Sequence, residues 1–286
     1  MKFVLHADGP EIADGADAVV PWWSFTKTLI AALTLTLVRD GLTSLDDPLP
    51  GEPFSLREML QHRAGLADYG ALAAYHEAVA ADQDAWPVEH LLAQVASLHA
   101  KVMRGEFSYS NIGYLLVRRH LERIMERPLG EALRERLFRP LGVDGPLIAE
   151  RRSDLQTLQM GSRASYDPRW VYHGLATGSL RDAVLLLHRL LTSDLLPQNL
   201  LTEMKIGLPV GDPGADRPWL AAAYGLGVMT GTARDGADVI GHTGGGPGSA
   251  VAVYHFPAKL TTAAFFIDGE RGEEAERETF ALGAKA

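Results

Sequence analysis

The pattern of this 286-residue chain predicts an α+β fold: a central antiparallel sheet built from both chain ends and flanked by helices, plus an inserted, mostly helical lobe. Three observations carry that expectation. A short strand-like segment stands at the N-terminus. The C-terminal part holds four more, Tyr224–Thr230, Val239–His242, Ser249–Phe256 and Leu260–Ile267, which read as neighbouring antiparallel strands. Between the two ends, roughly residues 66–215, the chain is rich in helical periodicity. The expected division is residues 1–60 with 216–286 as an α/β sheet lobe, residues 61–215 as a helical lobe, and a site in the cleft between them.

Taken in order, Lys2–Leu5 reads as a strand and Asp8-Gly9-Pro10 as a turn, with extended pieces up to Val20. Pro21 precedes a strong helix from about Ser24 to Arg39, closed by Asp40-Gly41. Loops are expected around Gly105, Pro140–Pro146 and Asp167-Pro168. An apolar helix should follow Gly174–Ser179, and a polar helix from about Glu273 ends the chain.

Composition removes several function classes. Apolar residues make up 47% and charged residues 22%, ordinary values for a soluble globular protein. The net charge of −9, with both signs spread along the chain, argues against nucleic acid and against an anionic membrane surface. There is no cysteine, hence no disulfide, thiolate metal site or thiol nucleophile. The first ten residues are too short an apolar run for a secretory signal, and Leu29–Val38 is too short to span a bilayer, so a cytoplasmic location is expected. His-Glu-x-x-His is absent, as are a Gly-x-Ser-x-Gly elbow and a phosphate-binding Gly-x-x-x-x-Gly-Lys, and the ten histidines are scattered. No metal and no cofactor is expected.

Three strings remain that carry chemistry. In Ser24-Phe25-Thr26-Lys27 a hydroxyl and an amine stand one helical turn apart, near a helix N-terminus that favours developing negative charge. A serine needs a base to become a nucleophile, and lysine can serve only when desolvation or a neighbouring charge lowers its pKa. Roughly one Ser-x-x-Lys is expected by chance in a chain this long, so the context matters. Pro21-Trp22-Trp23 ahead of it suggests a packed wall. Tyr109-Ser110-Asn111 places a phenol and an amide at a loop-to-helix junction. His242-Thr243-Gly244-Gly245-Gly246-Pro247-Gly248 lies between two expected strands as a Gly-rich loop, where substrate can approach backbone N–H groups.

In this order the strings resemble the active site of the serine β-lactamase and penicillin-binding enzyme superfamily, especially class C β-lactamases, the related carboxylesterases and the D-aminopeptidases. Leu42–Leu49, Ser55–Leu66 and Gly174–Ser179 resemble segments that flank those motifs. The resemblance implies a β-lactamase/transpeptidase-like fold and a serine hydrolase working through an acyl-enzyme. By the same likeness Ser24 is the nucleophile, Lys27 and Tyr109 share the base and acid roles, and Asn111 and Thr243 orient the substrate. The N–H groups of Ser24 and Gly245 hold the oxyanion, with Gly244 beside them. Relatives carry lysine where this chain has His242, so recognition of a substrate carboxylate is expected to weaken. The implied substrate is a small-molecule ester, amide or β-lactam, with ester or amide favoured. Tyr166, Trp170, Tyr172 and His173 are candidates for the pocket wall, the last two above all. The rival reading is a non-catalytic protein that uses the same cleft for ligand binding or its surface for assembly.

Overall fold

One strand, Ser249–Phe256, is buried along its whole length, and the fold is arranged around its two faces. The structure is a computed structural model and describes residues 1–6, 9–98, 103–161 and 165–285. The expected turn at Asp8-Gly9-Pro10 falls partly outside these residues, because Asp8 is not among them.

The chain begins with β1 (Lys2–Leu5), β2 (Ile12–Asp14) and β3 (Val19–Pro21), then a 3-10 turn at Trp23–Phe25 that runs into α1 (Thr26–Arg39). Helices α2 (Leu56–Leu60), α3 (Ala73–Ala80), α4 (Val88–Ala96), α5 (Asn111–Met125) and α6 (Leu129–Leu133) follow. The middle closes with β4 (Leu147–Ala149), β5 (Leu175–Ser179), α7 (Leu180–Thr192) and α8 (Gln198–Lys205). The last stretch holds β6 (Leu208–Pro209), β7 (Trp219–Tyr224), β8 (Met229–Ala233), β9 (Asp238–Gly246), β10 (Ser249–Phe256), β11 (Thr261–Asp268) and α9 (Gly272–Lys285).

The main sheet is antiparallel in the order β2-β1-β11-β10-β9-β8-β7-β6. Its two chain ends meet where β1 pairs β11, Lys2 opposite Phe265 and Leu5 opposite Thr262. Side chains alternate across a strand, so β10 feeds two separate cores. Val251 and Val253 join the cluster that contains α1 and α7, while Ala250, Ala252 and Tyr254 join Ala275 and Phe280 of α9. Helix α7, in the stretch expected to belong to the inserted lobe, packs on β1, β10 and β11. A second sheet not anticipated from the sequence, β3-β5-β4, ties the entrance of α1 to the segment before α7.

Three expectations about elements change. The helix starts at Thr26, so Ser24 sits in the preceding 3-10 turn. The run Tyr224–Thr230 is no single strand but the end of β7, a connection and the start of β8. Gly227 in that connection has φ +70°, and a Cβ there would lie 2.4 Å from Ala31 Cβ and 2.8 Å from Lys27 O. Its carbonyl accepts from Thr28 Oγ1 at 2.7 Å, which presses the connection onto α1. Lastly, His242–Gly246 is not a loop but the end of β9, turned into β10 by Pro247-Gly248 with Gly248 at φ +91°. Glycine runs lack the side chains that mark a strand, which hides it in the sequence.

Alternation along β9 gives the glycines different duties. A Cβ on Gly244 would stand 2.6 Å from Trp22 O and 2.7 Å from Ser24 N, both backbone, whereas one on Gly245 meets nothing within 4 Å. Gly244→Ala should therefore cost about 1–3 kcal/mol, with the thermal midpoint falling about 2–4 °C per kcal/mol. Gly245→Ala should stay within about 0.5 kcal/mol of the parent in parallel urea and thermal melts.

Candidate active site

Ser24 emerges from a strained turn that its surroundings over-determine. Trp23, the residue before it, has φ +43°, a left-handed conformation costing a bulky residue on the order of 1–3 kcal/mol. Three contacts hold it there. The indole Nε1 donates to Ser249 Oγ at 3.0 Å, and the ring packs edge-to-face on Tyr166 with centroids 5.6 Å apart. It also covers Gly246, where a Cβ would lie 2.4 Å from the ring. Trp22 is fully buried and its backbone N–H donates to Ala176 O of β5 at 2.8 Å. The turn that carries Ser24 is thus clamped between β5 and β9, with Ser24 itself partly exposed.

One turn along α1, Lys27 has no exposed surface. Its Nζ stands 3.1 Å from Ser24 Oγ, 2.7 Å from Asn111 Oδ1 and 3.2 Å from His173 Nε2. The rings of Tyr109 and Tyr114 lie 5.0 and 5.6 Å from it, in cation–π range. Burial lowers its pKa from 10.5 to about 7, against an opposing pull from the Asp68 carboxylate.

The second motif is delivered by the start of α5. Ser110 caps the helix, accepting from Gly113 N and donating to Ala67 O at 3.0 Å. Asp68 takes the Asn111 N–H at 2.8 Å and its Nδ2 at 3.1 Å, which turns Oδ1 of the amide towards Lys27. The Asp68 carboxyl is itself pushed above its ordinary pKa by burial, with the Asn111 backbone and Lys27 pulling the other way. Tyr109 Oη donates to Ser24 Oγ at 2.9 Å. Burial pushes that phenol well above its usual pKa, so it stays protonated. Behind it His62, at φ +56°, stacks on the Tyr109 ring with centroids 4.1 Å apart and accepts from Ser110 N at 3.1 Å. Asp68 and His62 belong to the site and were not singled out from the sequence; both act through long-range contacts that leave no local spacing.

The third motif splits across β9. His242 faces the Ser24 side: its Nδ1 lies 2.7 Å from Thr243 O and its Nε2 2.8 Å from Tyr224 Oη. A carbonyl only accepts, so Nδ1 carries the proton and Tyr224 donates to Nε2. Burial, then the charge of Lys27, lowers this histidine to about 3, and it is neutral. Thr243 faces the other way. Its hydroxyl lies 2.9 Å from Tyr254 Oη and 2.9 Å from Glu276 Oε1, and Glu276 pairs with Arg217 at 2.7 Å. The structure therefore brings together Ser24, Lys27, Tyr109 and Asn111, with His242, Gly244 and Gly245 alongside, and leaves the Thr243 hydroxyl on the α9 side.

A pocket of about 120 Å³ opens on Ser24. Asn111, His173, Gly245, Gly246 and Pro247 line it together with Trp23, Tyr69, Gly70, Tyr75, Tyr166 and Val171. Of the four residues expected at a pocket wall, Tyr166 and His173 line this one. Tyr172 does not: its hydroxyl donates to Trp86 O at 2.9 Å, and the ring packs edge-on against Tyr69 and Trp170. The turn from Val171 to Gly174 sets His173 against Lys27 and sends Tyr172 the other way, onto Trp86. Trp170 is likewise in the core, bound to Gln83 O at 3.0 Å. Among the described residues no cluster of three or more His, Asp or Glu could hold a metal ion.

A hydroxyl, a desolvated amine and a phenol converging at one turn, beside a glycine strand, define a Ser-x-x-Lys site. The family profile described as Beta-lactamase matches residues 9–286, and the chain belongs to that family. A comparison with curated protein sequences finds no match. Similar solved structures include a D-stereospecific amidohydrolase from Streptomyces sp. (22% identity, 95% of this chain and 89% of that one, TM-score 0.80). The D-amino acid amidase of Ochrobactrum anthropi SV3, complexed with L-phenylalanine amide, is 19% identical over 100% of this chain and 93% of that one, TM-score 0.81. An octameric penicillin-binding protein homologue from Pyrococcus abyssi is 19% identical over 99% and 73%, TM-score 0.79. At these identities the likeness establishes a β-lactamase/transpeptidase-like fold. No described helix is long and apolar enough to cross a membrane.

The Lys27 environment predicts a titration that can be read without any substrate. NMR of ε-labelled lysine should find one amine with a midpoint near 7 in place of 10.5. Asp68→Asn removes the charge that favours the ammonium, so the midpoint should fall further; a midpoint left unchanged would contradict the assigned balance.

Proposed function

We propose that the protein is a serine hydrolase that works through an acyl-enzyme on a small ester or amide. Family membership supports hydrolase chemistry in general, and one observation carries the specific reading. Ser24 Oγ lies at once 3.1 Å from Lys27 Nζ and 2.9 Å from Tyr109 Oη, at the mouth of the pocket. With the amine lowered to about 7 and the phenol raised, Lys27 is the group able to take the serine proton at neutral pH.

The steps follow from those positions. Ser24 Oγ attacks the carbonyl carbon as its proton passes to Lys27 Nζ. The oxyanion is held by the N–H groups of Ser24 and Gly245, whose neighbour Gly244 brings β9 against the nucleophile turn. Collapse of the tetrahedral intermediate breaks the bond to the leaving group, which takes a proton through the Tyr109 hydroxyl. Water then attacks the acyl carbonyl, freeing the acid and restoring Ser24.

Ester or amide is favoured over a carboxylate-bearing β-lactam for electrostatic reasons. His242, at the position where relatives use lysine, is neutral, and no charged side chain lines the pocket among the described residues. Arg217, behind the strand, is already neutralised by Glu276. The likeness to a D-stereospecific amidohydrolase and a D-amino acid amidase supports including D-amino acid amides among the test substrates.

Incubation with a fluorophosphonate or a p-nitrophenyl ester, read by intact mass, tests the proposal. One adduct is expected, lost in Ser24→Ala, and Lys27→Ala should slow its formation by about 10²- to 10⁴-fold without unfolding the chain. Only the neutral amine accepts a proton, so the acylation rate should climb as pH rises through about 7 and level off above. Absence of any adduct across an ester, D-aminoacyl amide and cephalosporin panel would favour the ligand-binding reading instead.

A further inference from the structure

We propose that His173 is a positioning residue: by accepting a hydrogen bond from Lys27 Nζ, it leaves Ser24 as the only direction open to the lone pair of the deprotonated amine. This rests on the serine-hydrolase reading above and adds a device that Ser-x-x-Lys alone does not supply.

The argument is one of counting corners. A neutral amine has two N–H bonds and one lone pair, arranged tetrahedrally. Lys27 Nζ has three polar neighbours within 3.2 Å: Ser24 Oγ, Asn111 Oδ1 and His173 Nε2. The Asn111 oxygen can only accept, and Asp68 holds the amide in that orientation through its Nδ2. One N–H is thereby assigned. If His173 Nε2 is bare it takes the second, and the lone pair must face Ser24. The Ser24 hydroxyl then donates to Lys27 while its oxygen accepts from Tyr109, which agrees with the 2.9 Å contact. If instead Nε2 carried the proton, it would donate into the lone pair and occupy the base.

The protonated state selects between these tautomers. An ammonium needs three acceptors, so it admits His173 only with Nε2 bare and the proton on Nδ1. Among the described residues nothing else fixes the choice, because Nδ1 is buried and has no hydrogen-bond partner there. Burial and the neighbouring charges of Lys27 and Arg118 keep the ring itself neutral. Loss of one proton from Lys27 then leaves the amine already oriented. The backbone supports the placement. A turn closed by Gly174 N to Val171 O at 2.7 Å precedes β5, and β5 is bound to both ends of the nucleophile segment. Ala176 O accepts from Trp22 N at 2.8 Å, and Ala176 N donates to Thr26 Oγ1 at 3.0 Å.

The test compares His173→Phe and His173→Gln in the full chain, reading the ester-acylation burst against pH and the Lys27 titration by NMR. The groups facing Lys27 besides His173 are Ser24, Asn111, Tyr109 and Tyr114, with Asp68, His62 and His242 beyond, and all are unchanged in these variants. His173→Phe should lower the acylation plateau roughly 10- to 100-fold. Its pH limb and its Lys27 midpoint should both move to lower pH, because the ammonium loses an acceptor. His173→Gln, whose amide oxygen can reach the place of Nε2, should recover most of the plateau; a merely structural role would move neither the limb nor the rescue. If the phenylalanine variant does not fold, His173→Asn, whose amide stops short of Nε2, takes its place. A plateau and limb equal to wild type overturn the proposal, and so does a faster variant, which would mean that His173 donates to the lone pair. An unmoved Lys27 midpoint overturns it even without turnover. Failure of the hydrolase reading looks different: the wild-type protein itself would form no Ser24 adduct.

Discussion

A lysine with no exposed surface, seated in the first turn of a core helix, is the constraint from which the site follows. An ammonium taken from water must find acceptors or lose its proton, and Lys27 does some of each. Its neighbours come from three separate places: Ser24 from the turn before α1, Asn111 from the head of α5, and His173 from the segment before β5. None of these three pieces is near another in sequence. Packing α1, with its continuous buried face from Thr26 to Leu37, is what gathers them.

The second constraint is the close contact between that turn and β9. Trp23 holds an unfavourable backbone conformation because its ring, its indole N–H and its neighbour Trp22 are each pinned by the sheets. Side chains at residues 244 and 246 would push the two elements apart, whereas Thr243 and Tyr254 lock the strand from the opposite face through Glu276 and Arg217. The strand is thus braced on one face by the ion pair of Arg217 with the buried Glu276, and packed on the other against the turn that carries Ser24.

Much of this was legible in the sequence where chemistry is local. Ser24 with Lys27 is a helical spacing, Tyr109-Ser110-Asn111 marks a helix start, and the residues of β10 read as a strand from their apolar run. The glycine stretch after His242 misled because a strand without side chains carries no alternation; with that strand recognised, Thr243 and His242 fall on opposite faces. Asp68, His62 and Glu276 left no local signal, since each matters through a partner at least 33 residues away: Asn111 for Asp68, Ser110 for His62 and Thr243 for Glu276. Long-range pairing is fixed by the packed core, which a single sequence does not display.

The most direct measurement of the whole arrangement is a crystal structure of the protein after reaction with a phosphonate ester. The account predicts phosphorus bonded to Ser24 Oγ, its free oxygen within hydrogen-bond reach of the N–H groups of Ser24 and Gly245, and Lys27 Nζ still against Asn111 and His173. A phosphonyl group carried by another residue, or one whose oxygen points away from β9 while the amine has swung out to solvent, would contradict it.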